Sequence, residues 1–184
     1  MTDNTRRVVI TGLGLVTPVG STVNTAWDNI KNGVSGIRKI DSFDASSFSV
    51  QISGSVIGFN VDDFISAKEQ RKMDTFIHYG IGASAMAIKD SGIEITEENS
   101  DRIGVSIGSG IGGLPYIERN YGKFLENGPR KISPFFVPSS IINMVSGNLS
   151  IMYGITGPNM SLVSACATGT HSIGDAARLI KHGY

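Results

Sequence analysis

The chain has 184 residues, of which 40% are hydrophobic and only 17% are charged, and its 16 basic side chains balance 16 acidic ones. This composition excludes an intrinsically disordered chain, which has few apolar residues and a large net charge, and argues against a nucleic-acid-binding protein, which is normally strongly basic. A single cysteine excludes a disulfide framework or a cysteine-rich zinc site, and no apolar run reaches the ~18 residues of a membrane span.

The first third of the chain predicts a strand, a helix and then irregular structure. Residues 7–15 are mostly apolar, which predicts a strand buried on both faces of a parallel sheet. Glycines and a proline interrupt this run, so we interpret it as the first strand of a cytoplasmic protein and not as a signal peptide. A helix is predicted from residue 21 or 22 to residue 31. Residues 36–59 follow as an irregular stretch with short strand candidates at 50–52 and 55–57.

The middle of the chain predicts a long helix and a second buried strand. Ser66 and Glu69 form a capping-box pattern that opens a helix ending near residue 91. One face of this helix carries apolar and small residues at helical spacing, namely Met73, Ile77, Gly80, Ile81, Ser84, Ala87 and Ile88. A strand is predicted at residues 102–107 and a loop at 108–113, while residues 114–131 predict no definite element.

The last third predicts helix, strand and helix. The segments are residues 138–153, 160–165 and 167–181, with Gly183 as the stop signal of the last helix. Their apolar faces are Ile142, Val145, Leu149 and Met152 in the first helix, and Ile173, Ala176, Ala177 and Ile180 in the second. Strands alternating with helices predict an α/β fold with a sheet between helix layers.

Residues 108–113 match the pattern G-x-G-x-x-G and follow a predicted strand. A dinucleotide site also needs a helix at that point and a second strand that ends in an acidic residue about 20 residues on. The sequence offers no such strand there. We therefore favour a loop whose glycines let backbone or ligand approach closely, and keep a nicotinamide-dependent oxidoreductase as an alternative.

Cys166 lies where an apolar strand meets a helix. The unpaired N–H groups and the positive end of the helix dipole stabilise a thiolate at such a junction and can hold an oxyanion. The small residues around it leave room for a substrate, so Cys166 is a candidate nucleophile; a buried, inert thiol is the alternative. His171 is more simply interpreted as a helix-packing residue than as the base. The three histidines form no metal-ligand spacing, and we predict no metal site.

Residues 164–171, SACATGTH, resemble the nucleophile motif of the β-ketoacyl-acyl-carrier-protein synthases. The resemblance extends over the whole chain. Residues 8–14 resemble the opening strand of that family, and residues 68–74, 108–113 and 131–139 resemble the elongating synthase II type. The resemblance implies a thiolase-like α-β-α-β-α layered fold, here an incomplete N-terminal half spanning residues 1–184.

The resemblance also implies an activity and site residues. Cys166 would accept an acyl group from acyl carrier protein as a thioester, and the carbanion left when malonyl-carrier protein decarboxylates would attack it, giving a 3-oxoacyl product. The Cys166 N–H would contribute to the oxyanion hole. Ile111 matches a residue of the acyl pocket, and Phe135 and Phe136 match residues that reach toward the partner subunit's pocket. No cofactor is implied.

Five basic residues match the family's docking patch for the acidic carrier protein: Lys68, Arg71, Lys72, Arg130 and Lys131. A solvated basic face is the alternative for any one of them. Residues 161–163 and the helix after Ser139 match a homodimer interface, which fits the low charge content.

Members of this family are more than twice as long. Their second half supplies two catalytic histidines, a lysine and a gating loop that are not matched here. We therefore expect an N-terminal fragment that does not condense acyl chains alone and that is poorly soluble, because its sheet has an unpaired edge. Two other functions stay open: a non-catalytic module that binds acyl carrier protein or dimerises, and a coenzyme A-dependent thiolase.

Overall fold

The computed structural model describes residues 6–184. The helices are α1 Val23–Lys31, α2 Ala67–Gln70, α3 Thr75–Ser91, α4 Leu114–Asn127, α5 Phe136–Ser140, α6 Met144–Tyr153 and α7 Thr168–His182. The strands are β1 Arg38–Lys39, β2 Ile52–Ser53, β3 Val105–Ser106 and β4 Asn159–Met160. Helices and strands mix as the α/β prediction requires, but the regular strands are far shorter than the sequence predicts.

The predicted strand at residues 7–15 is wrong. Residues 7–15 form no regular strand, and Ile10 is 77% exposed, not buried. The segment lies instead along the second half of α3, where the Leu13 N–H donates to Asp90 Oδ2 at 2.8 Å. A Cβ atom at Gly12 or Gly14 would collide with the α3 backbone, so the two glycines permit this close approach.

The next segment confirms the predicted helix and one of its strand candidates. Thr22 caps α1 by accepting a hydrogen bond from the Thr25 N–H, so the start at residue 22 or 23 follows from local chemistry. β1 and β2 pair antiparallel, which places a strand at the predicted 50–52 region. Residues 55–57 form no strand.

The predicted long helix is two helices. Ser66 precedes α2, but its side chain makes no capping hydrogen bond, and α2 ends after four residues. The chain then turns, and Asp74 begins α3, which ends at Gly92 with φ of 66°. Ile77 and Ile81 on the predicted face of α3 are fully buried. The helical face was correctly predicted, whereas the break before it was not.

The core lies between α3, α6 and the parallel pair β3–β4. Its buried members are Ile65, Met73, Ile77, Ile81, Val105, Val145, Leu149 and Ile155. Ser146 on α6 is fully buried, and its hydroxyl lies 2.8 Å from the Met160 carbonyl and 3.1 Å from the Ile107 N–H. This one hydroxyl therefore joins α6 to the ends of both parallel strands.

Two further elements differ from the prediction. Residues 114–127 form the helix α4, and the predicted helix at 138–153 is interrupted between α5 and α6. α7 begins and ends as predicted, with Gly183 at φ of 87°. Its predicted apolar face is not all buried, since Ile173 is 67% exposed; the buried α7 residues are Thr168 and Ser172.

Candidate active site

Cys166 lies in a single 3₁₀ turn, Ala165–Ala167, that leads directly into α7. Its side chain is exposed, so the alternative of a buried, inert thiol is wrong. The residue before it, Ala165, has φ of 51°, and it is the one non-glycine residue with positive φ in the described chain. A left-handed backbone costs an L-residue about 1 kcal/mol or more and concentrates at functional sites. The predicted helix after Cys166 is confirmed, but the strand predicted at 160–165 is not, since β4 ends at Met160. The sequence does not predict the strained residue Ala165.

His171 lies one turn into α7 and is exposed. Its Nδ1 atom is 2.6 Å from the Ser164 hydroxyl, two residues before the cysteine. His171 is therefore not packed into the core, and its ring contacts the segment that leads to the Cys166 turn. That His171 is not the base stays a prediction. With Nδ1 engaged by Ser164, the ring orients that segment.

The glycine loop at 108–113 packs against the Cys166 turn. A Cβ atom at Gly108 would collide with the Leu162 carbonyl and the Thr168 methyl group, and one at Gly110 would lie 3.6 Å from the Ala165 carbonyl. The prediction that these glycines allow close backbone approach is confirmed. Ile111, the predicted acyl-pocket residue, lies on this loop beside the turn and is 71% exposed.

The two predicted pocket phenylalanines lie elsewhere. The Phe135 ring lies 5.8 Å from the Lys72 ammonium, in a cation–π arrangement. Phe136 lines an apolar groove of about 250 Å³ between α4 and residues 132–136, together with Ile117, Tyr121 and Phe124.

The five predicted basic residues fall on two neighbouring segments. Lys68 and Arg71 are exposed on and after α2, and Arg130 and Lys131 are exposed on the 3₁₀ turn that follows α4. Lys72 differs from the other four, because its ammonium is paired with Glu69 at 2.7 Å. Its charge is therefore already partly compensated.

Arg119 is a basic residue that sequence reasoning missed. It lies on α4, stacks over the Tyr116 ring at 5.4 Å, and lines an open groove of about 400 Å³ together with Arg71 and His78. Neither arginine belongs to an ion pair among the described residues. Burial lowers the pKa of His78, against the opposing hydrogen bond to the Gln70 carbonyl and the Asp74 carboxylate. The groove is therefore open and positively charged.

Asp74 is the second residue that the sequence analysis missed. Its carboxylate is 1% exposed and accepts the Thr75 N–H at the start of α3 and the Tyr116 N–H in the first turn of α4, the latter at 2.6 Å. Nearby, the buried Ser139 hydroxyl donates to the Lys72 carbonyl at 2.6 Å. One carboxylate thus caps two helices and fixes the Arg71 segment to the end of the glycine loop. An aspartate directly before Thr75 was the available signal.

Two further site types are absent from residues 6–184. No group of three or more His, Cys, Asp or Glu side chains could hold a metal ion there. The glycine loop does open a helix, α4, but the next strand is β4, about 50 residues on, so the dinucleotide pattern of the alternative is incomplete. In the same part of the chain, no helix is long and apolar enough to cross a membrane.

Residues 5–184 match the family model described as "Beta-ketoacyl synthase, N-terminal domain". The chain belongs to this family. The resemblance seen in the sequence is therefore confirmed. The fold agrees: the chain is similar to the crystal structure of a β-ketoacyl synthase from Burkholderia phymatum, with a TM-score of 0.81 and 29% identity, over 97% of this chain and 44% of that one. The fold is thus that of a thiolase-like ketosynthase N-terminal domain.

The chain is also similar to other β-ketoacyl synthases. The 3-oxoacyl-[acyl-carrier-protein] synthase 2 of Vibrio harveyi is 56% identical over 178 residues, and the same enzyme of Coxiella burnetii is 52% identical over 177. These matches cover 97% and 96% of this chain but 43% of each relative, so the chain spans less than half their length. A type II polyketide ketosynthase, solved in complex with its acyl-carrier protein, matches with a TM-score of 0.79 and 26% identity, over 97% of this chain and 47% of that one.

Proposed function

We propose that this chain carries the nucleophile of a 3-oxoacyl-[acyl-carrier-protein] synthase of fatty acid biosynthesis. The observation that carries the proposal is the exposed Cys166 thiol on a strained turn at the start of α7. A nucleophile needs access to its substrate, and the first N–H groups of a helix are free to bind a developing negative charge. The thiol is exposed at this turn, and the Ala167 and Thr168 N–H groups already donate to the Ser164 and Ala165 carbonyls, so the Cys166 N–H is the donor we propose for the negative charge.

In the proposed reaction, the Cys166 sulfur attacks the carbonyl carbon of an acyl thioester. The carbonyl oxygen becomes an oxyanion, which the Cys166 N–H and the positive end of the α7 dipole stabilise. The intermediate collapses, the carrier's thiolate leaves, and the acyl group stays on Cys166. A malonyl group on a second carrier protein then loses carbon dioxide, and its carbanion attacks the Cys166 thioester. The product is a 3-oxoacyl chain two carbons longer, and the cysteine is released.

The described residues support the first half of this cycle. His171 is held by Ser164, and His78 lies in the groove between Arg71 and Arg119. Neither ring hydrogen-bonds to the Cys166 sulfur in the described chain. We therefore expect that residues 6–184 suffice for transfer of an acyl group to Cys166. We expect no condensation unless further groups act on malonyl-carrier protein.

The proposed partner is an acyl carrier protein, which we take to be acidic. Its docking surface would comprise the exposed cations Lys68, Arg71, Arg119, Arg130 and Lys131. Asp74 and Ser139 hold the two segments that carry these residues against α4 and α5. A fixed array of cations on one side of the molecule steers an acidic partner and speeds its association.

We also propose a homodimer located in the cytoplasm. Residues 161–163 and the helix after Ser139 include exposed apolar side chains, with Val163 at 59% and Ile151 at 80% exposure. Exposed apolar side chains become favourably buried when another chain covers them. A second subunit would bury them.

Two alternative functions can be distinguished by the substrate that the chain accepts. A thiolase would use coenzyme A thioesters and would not need the basic surface. A carrier-binding module would dock the carrier protein without accepting its acyl group. The exposure of Cys166 favours an acceptor over a module that only binds.

The test is incubation of the purified chain with medium-chain acyl-acyl-carrier protein, followed by intact mass measurement. We expect a mass increase of one acyl group, which Cys166→Ser abolishes. The double variant Lys68→Glu/Arg71→Glu should slow acylation by the carrier protein and leave acylation by acyl-coenzyme A unchanged. Lys89→Glu, on the far end of α3, is the matched charge control and should change neither rate. A folded chain that gains no acyl group would refute the proposed acceptor.

A further inference from the structure

The strained Ala165 conformation needs a group that holds it, and the structure shows which one. Thr168, the first residue of α7, is 6% exposed. Its hydroxyl accepts the Ser164 N–H at 2.9 Å and donates to the Ala165 carbonyl at 2.7 Å. The hydroxyl therefore binds the backbone on both sides of Ala165. We propose that Thr168 is the positioning residue that clamps this turn and so presents the Cys166 sulfur.

The methyl group of Thr168 makes a separate contact. It lies against Gly108, at the start of the glycine loop, where any side chain would collide with it. The hydroxyl and the methyl group are attached to the same Cβ atom and rotate together. Because the loop fixes the methyl group, it also fixes the direction of the hydroxyl. Thr168 thus joins three parts of the site: the glycine loop, the strained turn and the first turn of α7.

The hydroxyl matters more than the methyl group for holding the turn. The left-handed backbone at Ala165 is unfavourable for alanine, so the turn persists only because its surroundings over-determine it. Valine has nearly the shape of threonine but cannot bind either backbone group. Thr168→Val would leave the Ser164 N–H and the Ala165 carbonyl without this partner, and the turn would relax toward an ordinary conformation.

This inference rests on the proposed role of Cys166 as nucleophile, but its test does not use the carrier protein. The readout is the second-order rate of Cys166 alkylation by iodoacetamide at pH 7 in the folded chain. We expect Thr168→Val, which loses both hydrogen bonds of the hydroxyl, to slow alkylation by about tenfold. Thr168→Ser retains the hydroxyl and should stay within about twofold of the unmodified chain. Thr170→Val, an exposed threonine on the same helix, is the control and should react normally.

A rescue separates positioning from a general structural role. Glycine adopts a positive φ without strain, so Ala165→Gly removes the need for the clamp. The double variant Thr168→Val/Ala165→Gly should regain most of the lost alkylation rate. If Thr168→Val alone fails to fold, the double variant should fold again. Equal rates for the valine and serine variants, or no rescue by glycine, would overturn the proposal.

The outcomes also distinguish this proposal from the proposed function. Slow alkylation in Thr168→Val with rescue by glycine, but no acyl adduct on the unmodified chain, would support the clamp and refute the acyl acceptor. An acyl adduct together with unchanged alkylation in Thr168→Val would do the reverse.

Discussion

Two turns in this molecule each begin a long helix, and they use their side chains in opposite ways. Asp74 at the start of α3 is buried, and its carboxylate binds the backbone of two helices. Cys166 at the start of α7 is exposed, and the turn that carries it is held by its neighbour Thr168. A group that stabilises the fold cannot also be free to react. The comparison shows that the reactive side chain is left unbound while adjacent residues hold its backbone.

The largest expected effect is on the buried turn. Asp74→Ala removes the acceptor for two N–H groups inside the protein, so we expect the free energy of unfolding to fall by about 3 kcal/mol. Urea denaturation measures the loss. Asp74→Asn, which retains one acceptor oxygen, should lose less. Equal stability of Asp74→Ala and the unmodified chain would show that this carboxylate does not hold the two helices.

A second prediction concerns the buried hydroxyl that joins α6 to β3 and β4. Ser146→Ala should lower the free energy of unfolding by about 1–2 kcal/mol, because Ile107 and Met160 lose a buried hydrogen-bond partner. Ser49→Ala, at an exposed serine outside α6 and both strands, is the control. If both variants lose the same amount in denaturation, the strand ends do not depend on this hydroxyl.

A smaller effect should follow pH. Burial lowers the pKa of His78 in the folded chain below its ordinary value of 6.5. The unfolded chain therefore binds a proton more readily. The resulting stability is fully present above pH 6.5 and is lost as the pH falls through the lower, folded pKa. The hydrogen bond to the Gln70 carbonyl and the charge of the Asp74 carboxylate oppose this lowering of the pKa.

The measurement is the free energy of unfolding from pH 7.5 to pH 5. His78→Gln should remove the part of the pH dependence that this ring contributes. An identical pH dependence in both proteins would contradict the assignment.

The smallest expected effect on stability is at the exposed turn. Cys166→Ser should leave the free energy of unfolding within about 0.5 kcal/mol of the unmodified chain, because the side chain is exposed. The same variant should lose all thiol alkylation. A large loss of stability would mean that Cys166 has a structural role like that of Asp74.

Local signals predicted the parts of the fold that depend on local chemistry. The Thr22 cap, the Gly92 stop and the Gly183 stop were readable because each acts within one turn of its helix. The strand predicted at 7–15 failed because an apolar run predicts burial, and Ile10 is exposed in the described structure. The break before α3 had a local signal in Asp74, which caps the helix at Thr75, whereas the second bond of Asp74, to Tyr116, joins residues 42 positions apart and could not be predicted locally.

In the candidate site, too, features set by the local sequence were predictable and features set by packing were not. The position of Cys166 just before a helix was predictable, because an apolar run, small residues and then a helical pattern follow one another in the sequence. Arg119 and the Thr168 clamp were not, since both depend on which elements pack together: α4 beside Arg71, and the glycine loop against α7. The start of α4 did have a signal in Pro115, a residue favoured in the first turn of helices.

The central claim is that the Cys166 turn is already an acyl acceptor within this chain. The most direct test is the intact mass of the chain after incubation with medium-chain acyl-acyl-carrier protein, beside Cys166→Ser treated in the same way. We predict one added acyl group on the unmodified chain and none on the variant. A folded, unmodified chain that stays at its starting mass, or an equal adduct on both proteins, would contradict it.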